Sequence, residues 1–360
     1  MKNIRTLLVG GTSMIAALAA TTALAQDAPW YPLQVNATTV AGETGLFDYT
    51  PLSATGTASE NWQICVSVPH MKDAVFLAMN YGMVQEANLL GVDLMTYEAG
   101  GYTELPTQIS QIENCVAGGA DAVVMVAIAA DGMNNLLAEL AEKGIPVIDA
   151  INGVTSEVPV AHVLTSPYDE GLRAGQYLAA AHPAGSENVN VGWLPGPAGA
   201  GFVEAFNSGF LAGIEGAAIT IVETKYGDVG KEIQAQLVED LLQTHDDIDY
   251  VVGTAVMVEG ALPLLRSRDM QDDIKLVSVY TTPGVYEALS HGMIDAAGAA
   301  PVVLTSRIIL DTAVRVLEDR LEYSHVGTIG QVYTAADVAT LDPLTVLAPA
   351  NYGPNFSVDN

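Results

Sequence analysis

The chain has 360 residues, half of them hydrophobic, with 13 basic residues against 42 acidic ones and a net charge of −29. So acidic a surface repels phosphate backbones and anionic headgroups, which argues against nucleic acid and membrane surfaces as partners. The acids are spread along the chain rather than bunched, so they read as a solvated surface more than as a lure for cations.

Residues 1–25 have the marks of an export signal. Lys2 and Arg5 form a basic head, Leu7 to Ala20 is an apolar run too short for a membrane anchor, and Ala23-Leu24-Ala25 is a small-residue cleavage site. Cleavage before Gln26 leaves 335 residues with 11 basic and 42 acidic side chains, a net charge of −31. The mature protein is expected in the periplasm, without membrane insertion. A chain of this length usually divides into two cores.

Residues 26–61, rich in Thr, Gly, Ala and Pro and without a sustained apolar period, read as an extended N-terminal arm. From Trp62 to Ile128 the pattern becomes strand, helix, strand, helix, strand. Strands are expected at 63–68, 92–98 and 122–128, the second helix at 103–117, and the loop Glu98-Ala99-Gly100-Gly101-Tyr102 between them. Further strands are expected at 146–151, 161–164, 189–194, 219–224, 250–253 and 276–280. Two helices are clear between and after them. One covers 232–243, with Ile233, Leu237 and Leu241 on one face; the other covers 306–320, with Ile309, Ala313 and Val316. The tail from Ala335 to Asn360 reads as an irregular strap.

Short apolar strands alternating with amphipathic helices specify parallel sheets covered on both faces. Two sets of about five strands make an α/β protein of two doubly wound parallel-sheet lobes. Ligands of such sheets bind beyond the carboxyl ends of the strands, which selects the loops at 69–74, 98–102, 127–133, 194–202, 254–260 and 280–285.

The two cysteines are Cys65, in the first strand, and Cys115, in the last turn of the second helix. If the strand order is 2-1-3, a right-handed crossover lays that helix antiparallel over strand one and brings its end to the strand's beginning. A disulfide then closes a loop of about 50 residues; the alternative is two buried, inert thiols.

Catalytic signatures are missing. There is no H-E-x-x-H, G-x-S-x-G or G-x-x-x-x-G-K-[ST], and the six histidines show no ligand spacing, so no enzyme, metal or cofactor is expected. The run Gly196-Pro197-Ala198-Gly199-Ala200-Gly201 reads as a tight turn for close backbone approach rather than a phosphate cradle. His245-Asp246-Asp247 reads as a solvated turn.

Several segments carry a family resemblance: Leu77-Ala78-Met79-Asn80-Tyr81-Gly82-Met83, Gly91-Val92-Asp93-Leu94, Glu98 to Tyr102, Gln111-Ile112-Glu113-Asn114-Cys115, Pro195-Gly196-Pro197 and Ile248 to Ala255. With these the chain resembles the type I periplasmic binding proteins (LacI-like, ribose-binding-like) over roughly 62–330. Within them it resembles the branch that partners a sensor histidine kinase in trimethylamine N-oxide respiration. The resemblance implies two lobes joined by a multi-strand hinge, the first from 62–165 with 302–326, the second from 166–301 with 327–360. It implies trimethylamine N-oxide or a related small methylated amine held between the lobes, and the periplasmic sensor domain of a histidine kinase as partner. The alternative is a solute-binding protein of an ABC importer for a small polar solute.

Sugar receptors of this family clamp hydroxyls at positions that here hold Ile151-Asn152, Thr254-Ala255, Tyr280 and Pro301. The polar forks have largely become apolar or aromatic, and unpaired sugar hydroxyls would cost about 1–3 kcal/mol each. Methyl groups on a charged nitrogen instead favour aromatic faces, and an oxide oxygen wants a donor. Trp62, Tyr102, Tyr168, Trp193 and Tyr280 are the expected aromatics, Thr254 and Tyr280 the donors, and Asp73 the acidic contact in the first loop. At the start of the first helix, where the family usually presents aromatics, Ala74-Val75 precede the single Phe76, so part of an aromatic cage is expected to be absent.

Overall fold

The computed structural model describes residues 30–360, so the expected export signal lies outside the described residues. Two sheets organise the chain. Elements in the first part are β1 (Leu33–Thr39), β2 (Thr44–Tyr49), β3 (Gln63–Val68), α1 (Ala74–Leu90), β4 (Asp93–Glu98), α2 (Leu105–Ala117), β5 (Ala122–Met125), α3 (Asn134–Glu142), β6 (Val147–Ala150) and β7 (Ala161–Leu164). The middle holds α4 (Pro167–Ala181), β8 (Val189–Gly196), α5 (Gly201–Gly213), β9 (Ile219–Tyr226), α6 (Lys231–Thr244), β10 (Tyr250–Gly253), α7 (Ala255–Ser267), β11 (Lys275–Ser278), α8 (Pro283–Ser290) and β12 (Ala296–Ala299). The last part is α9 (Val302–Leu317), β13 (Tyr323–Thr328), β14 (Gln331–Tyr333), α10 (Pro343–Val346) and β15 (Ser357–Val358).

The first sheet runs β15-β4-β3-β5-β6-β7-β13-β1-β2 and the second β14-β12-β11-β10-β8-β9. The pairings among β3 to β7, and among β8 to β12, are parallel. Except for β4 and β9, which carry polar and partly exposed positions, their strands are mostly apolar and buried because helices cover both faces. Among the described residues no helix is long and apolar enough to cross a membrane.

Four junctions carry the chain between sheets: β7 to α4, β12 to α9, β13 to β14, and β14 through α10 to β15. Two segments differ from expectation. The N-terminal arm is a β-hairpin, β1 and β2, paired antiparallel and joined through β1 to β13 at the first sheet's far edge. It alternates correctly, burying Val35 and Ala37, but its small and polar side chains gave no apolar period. The tail, expected with the second lobe, returns to the first sheet. There β15 pairs with β4, and Asn80 on α1 binds the strap by accepting from Tyr352 Oη (2.6 Å) and Asn355 N (2.8 Å) and donating to Asn355 O (2.9 Å).

Helix contacts explain other boundaries. α9 begins at Val302 rather than 306 and is buried along nearly its whole length, with Arg307 Nε reaching Glu86 on α1 at 2.7 Å. α4 and α5 approach closely because Gly171 and Gly175 face Gly209 and Gly213; a Cβ on Gly175 would stand 2.6 Å from the Phe210 carbonyl oxygen.

The order β4-β3-β5 is the 2-1-3 arrangement, and α2 crosses so that Cys115 meets Cys65 in a disulfide, Cα atoms 6.3 Å apart, closing a 50-residue separation. The double variant Cys65→Ala/Cys115→Ala is expected to lose up to about 4 kcal/mol of stability in urea titration, with unchanged far-ultraviolet dichroism.

Candidate functional site

The carboxyl ends of the two sheets face one another across a cleft. From the first sheet, the turn after β3 brings Asp73, which caps α1 by accepting from Val75 N at 3.0 Å. The loop after β4 brings Tyr102. The turn after β6 brings Ile151 and Asn152, whose Nδ2 donates to Tyr102 Oη (2.9 Å) and to the Ala127 carbonyl (2.8 Å). Ile151 has φ 61°, a left-handed conformation that costs a β-branched residue about 1–3 kcal/mol and marks a constrained site. From the other side come Glu170 in the first turn of α4, Phe202 and Phe206 on α5, and Tyr280 and Thr281 after β11. Val346 of α10 adds a wall from the tail.

These groups enclose a cavity of ≈ 70 Å³ with a largely apolar lining. One water needs only about 10–15 Å³ by this kind of measure, so the space suits a ligand of a few non-hydrogen atoms. The lobes touch around it. Tyr280 Oη donates to Asp73 Oδ2 across the cleft, and the Tyr102 and Phe202 rings meet with centroids 5.7 Å apart. Gly201 is required where α5 begins, because a Cβ would stand 2.6 Å from Asn152 O and 2.7 Å from Gly153 O. The glycine-rich turn is thus a close backbone approach between lobes.

Asp73 is only 2 % exposed, and burial pushes its carboxyl up to about 6, against the lowering effect of the Tyr280 and Val75 hydrogen bonds. Glu170 is 8 % exposed and burial pushes it up to about 8. Burial, with the Asp73 charge added, raises the Tyr280 hydroxyl well above its ordinary range, so it stays a donor. Tyr102 is raised by burial as well. His70 sits edge-on to Phe76 and Tyr102 and is lowered by burial to about 4, so it is neutral. None of the described residues lining the cavity is Lys, Arg or His.

Of the residues expected from sequence, Asp73, Tyr102 and Tyr280 come together here. Four do not. Trp62 precedes β3, at the strand end away from the cleft, and packs on the first core with Nε1 3.5 Å from Glu318 Oε1. Trp193 is buried within β8, stacked on Phe210 at 4.3 Å and donating to Asn207 Oδ1 at 2.7 Å. Thr254 is fully buried as the cap of α7, accepting from Met257 N at 3.2 Å. Tyr168 is 43 % exposed at the start of α4. Phe202, Phe206 and Glu170 were missed. The first lies in a loop that the strand-end rule had singled out; Glu170 has no signal that separates it from the other acids.

Both carboxyls bind protons more tightly in the folded state, so stability falls as pH rises between the ordinary carboxylate range and their raised values. Glu170→Gln is expected to melt higher than the parent near pH 8.5 and alike near pH 4.5, the gap growing by at most about 1.4 kcal/mol per pH unit. Differential scanning calorimetry across that range checks it.

A family profile described as "Periplasmic binding protein domain" matches residues 64–321. The periplasmic protein TorT of Escherichia coli (strain K12) is 31 % identical over 302 residues, 84 % of this chain and 81 % of TorT. A crystal structure of an ABC transporter solute-binding protein from Bradyrhizobium sp. BTAi1 with bound Bis-Tris is 48 % identical, with a TM-score of 0.77, covering 91 % of this chain and 99 % of the other. The complex of the TorS sensor domain with TorT in the presence of trimethylamine N-oxide matches at 33 % identity and a TM-score of 0.73, over 82 % of this chain and 99 % of the other.

Proposed function

Because the chain belongs to the periplasmic binding protein family, we propose that it is a receptor for a small methylated nitrogen compound, either trimethylamine N-oxide or a related methylated amine. The ligand sits between the lobes, and the state it selects is read by the periplasmic sensor domain of a histidine kinase. The observation that carries this is the cavity itself, where Phe76, Tyr102, Phe202, Phe206 and Tyr280 surround Asp73 and Glu170. Methyl groups on a charged nitrogen gain about 0.5–2 kcal/mol from each aromatic face they meet. For an oxide oxygen the donor is the Tyr280 hydroxyl, which would turn its proton from Asp73 to the ligand, and for the nitrogen the counter-charge is Asp73. The sensor role is supported by the likeness to TorT, which has been crystallised with the TorS sensor domain. Binding shifts lobe closure only as far as ligand prefers one state, so the partner reads that difference.

A second reading, delivery of a small solute to an ABC importer, is favoured by the 48 % identity to a solute-binding protein crystallised with the amine buffer Bis-Tris. The two share a cleft and differ in partner. Co-precipitation with the kinase sensor domain separates them: absence of association both with and without ligand removes the sensor reading.

Titration calorimetry with trimethylamine N-oxide and with trimethylammonium tests the site. Tyr280→Ala is expected to weaken binding by about tenfold or more. Thr254→Ala should leave affinity unchanged and cost about 1 kcal/mol of stability through its lost helix cap.

A further inference from the structure

Two acidic residues line one cavity from opposite sides. Asp73 enters from the turn after β3, and Glu170 from α4. The charges around each are few. Asp73 accepts from Tyr280 Oη and Val75 N, and feels Glu259 and Lys231, which are ion-paired to each other at 2.7 Å. Glu170 meets Thr165, and feels Arg173 and Asp169 on its own helix. None of the described residues lining the cavity supplies a positive charge. The same cavity is lined by Phe76 from the first side and by Phe202 and Phe206 from the second. Two acids and a set of ring faces, without a lining cation, complement a positive ligand. An oxide oxygen brought among them meets the hydroxyl of Tyr280 but also the lone pairs of both acids.

We infer that the ligand is a small organic cation, a protonated methylated amine rather than an amine oxide, and that Glu170 is the carboxylate that selects it together with Asp73. This rests on the cleft being the amine site proposed above. Burial pushes Asp73 up to about 6 and Glu170 up to about 8. A cation therefore binds best once both have released their protons, and its affinity rises with pH through both values. An oxide, which accepts hydrogen bonds from protonated carboxyls, has the opposite slope.

The test is titration calorimetry of the mature protein with trimethylammonium chloride and, separately, trimethylamine N-oxide, near pH 5.5, 7 and 8.5. Trimethylammonium is expected to bind about tenfold or more tightly at the highest pH than at the lowest, to outbind the oxide there, and to release protons measurable by repeating the titration in buffers of different ionisation enthalpy. Glu170→Gln should lower its affinity about tenfold and remove the upper part of the pH rise; Asp73→Asn should remove the lower part. The wild-type pH slope and proton release decide the ligand charge without any variant. An oxide that binds more tightly than trimethylammonium near pH 8.5, or a cation affinity that is flat or falls with pH, overturns the inference while leaving the amine site intact. A cation affinity unchanged in folded Glu170→Gln removes Glu170 from the selection. If neither compound binds at any pH, the amine reading of the cleft fails and the inference with it.

Discussion

Asp73 uses one carboxylate oxygen on the Val75 amide at the start of α1 and the other on the Tyr280 hydroxyl from the opposite lobe. The first bond fixes where α1 begins and how the turn after β3 faces the cleft. The second joins the two sheets at the cavity wall. Both bonds lower the cost of a buried carboxylate, yet desolvation still exceeds them, so the group remains poised to exchange a proton or meet a positive charge. Tyr280 is held as a donor by the same proximity, and Tyr102 is held by Asn152.

The cavity is assembled from segments that are remote in sequence. Two of the junctions between the sheets bring α4 and α9 to it, and the tail supplies Val346 before crossing to the edge of the first sheet. Asn80 secures that crossing with three hydrogen bonds, and Asn360 continues it by donating to Asp93 Oδ1 at 2.9 Å and Val92 O at 2.8 Å. The strap thus touches both sheets and the ligand cavity. On the other side, the four glycines that let α4 and α5 meet at backbone distance set Glu170 beside Phe206.

The charge of the chain has two physical settings. Most of the 42 acids face solvent, where charge is screened and local effects are small. Asp73 and Glu170 are removed from water, and there a carboxyl without a cationic partner is raised towards neutrality. Net charge describes the first setting and is silent about the second.

The alternation of short apolar runs with amphipathic helices was enough to determine the fold class, because both faces of a parallel sheet must be covered and the period of each element records that burial. It also located β3, β7 and β10 to the residue, and the right-handed crossover rule brought Cys65 to Cys115. Strands β1 and β15 escaped it because β13 and β4, which they join, are hundreds of residues away and their own side chains give no sustained apolar period. The pattern sets Trp62 and Trp193 at or near strand ends, but does not say that one lies at the end away from the cleft and the other faces α5. Asp73, Tyr102 and Tyr280 were legible because a parallel sheet puts its functional loops at one edge. Glu170 and the phenylalanines of α5 were decided only by tertiary structure, since which face of a helix meets the cleft depends on how two lobes come together, a geometry that local sequence does not encode.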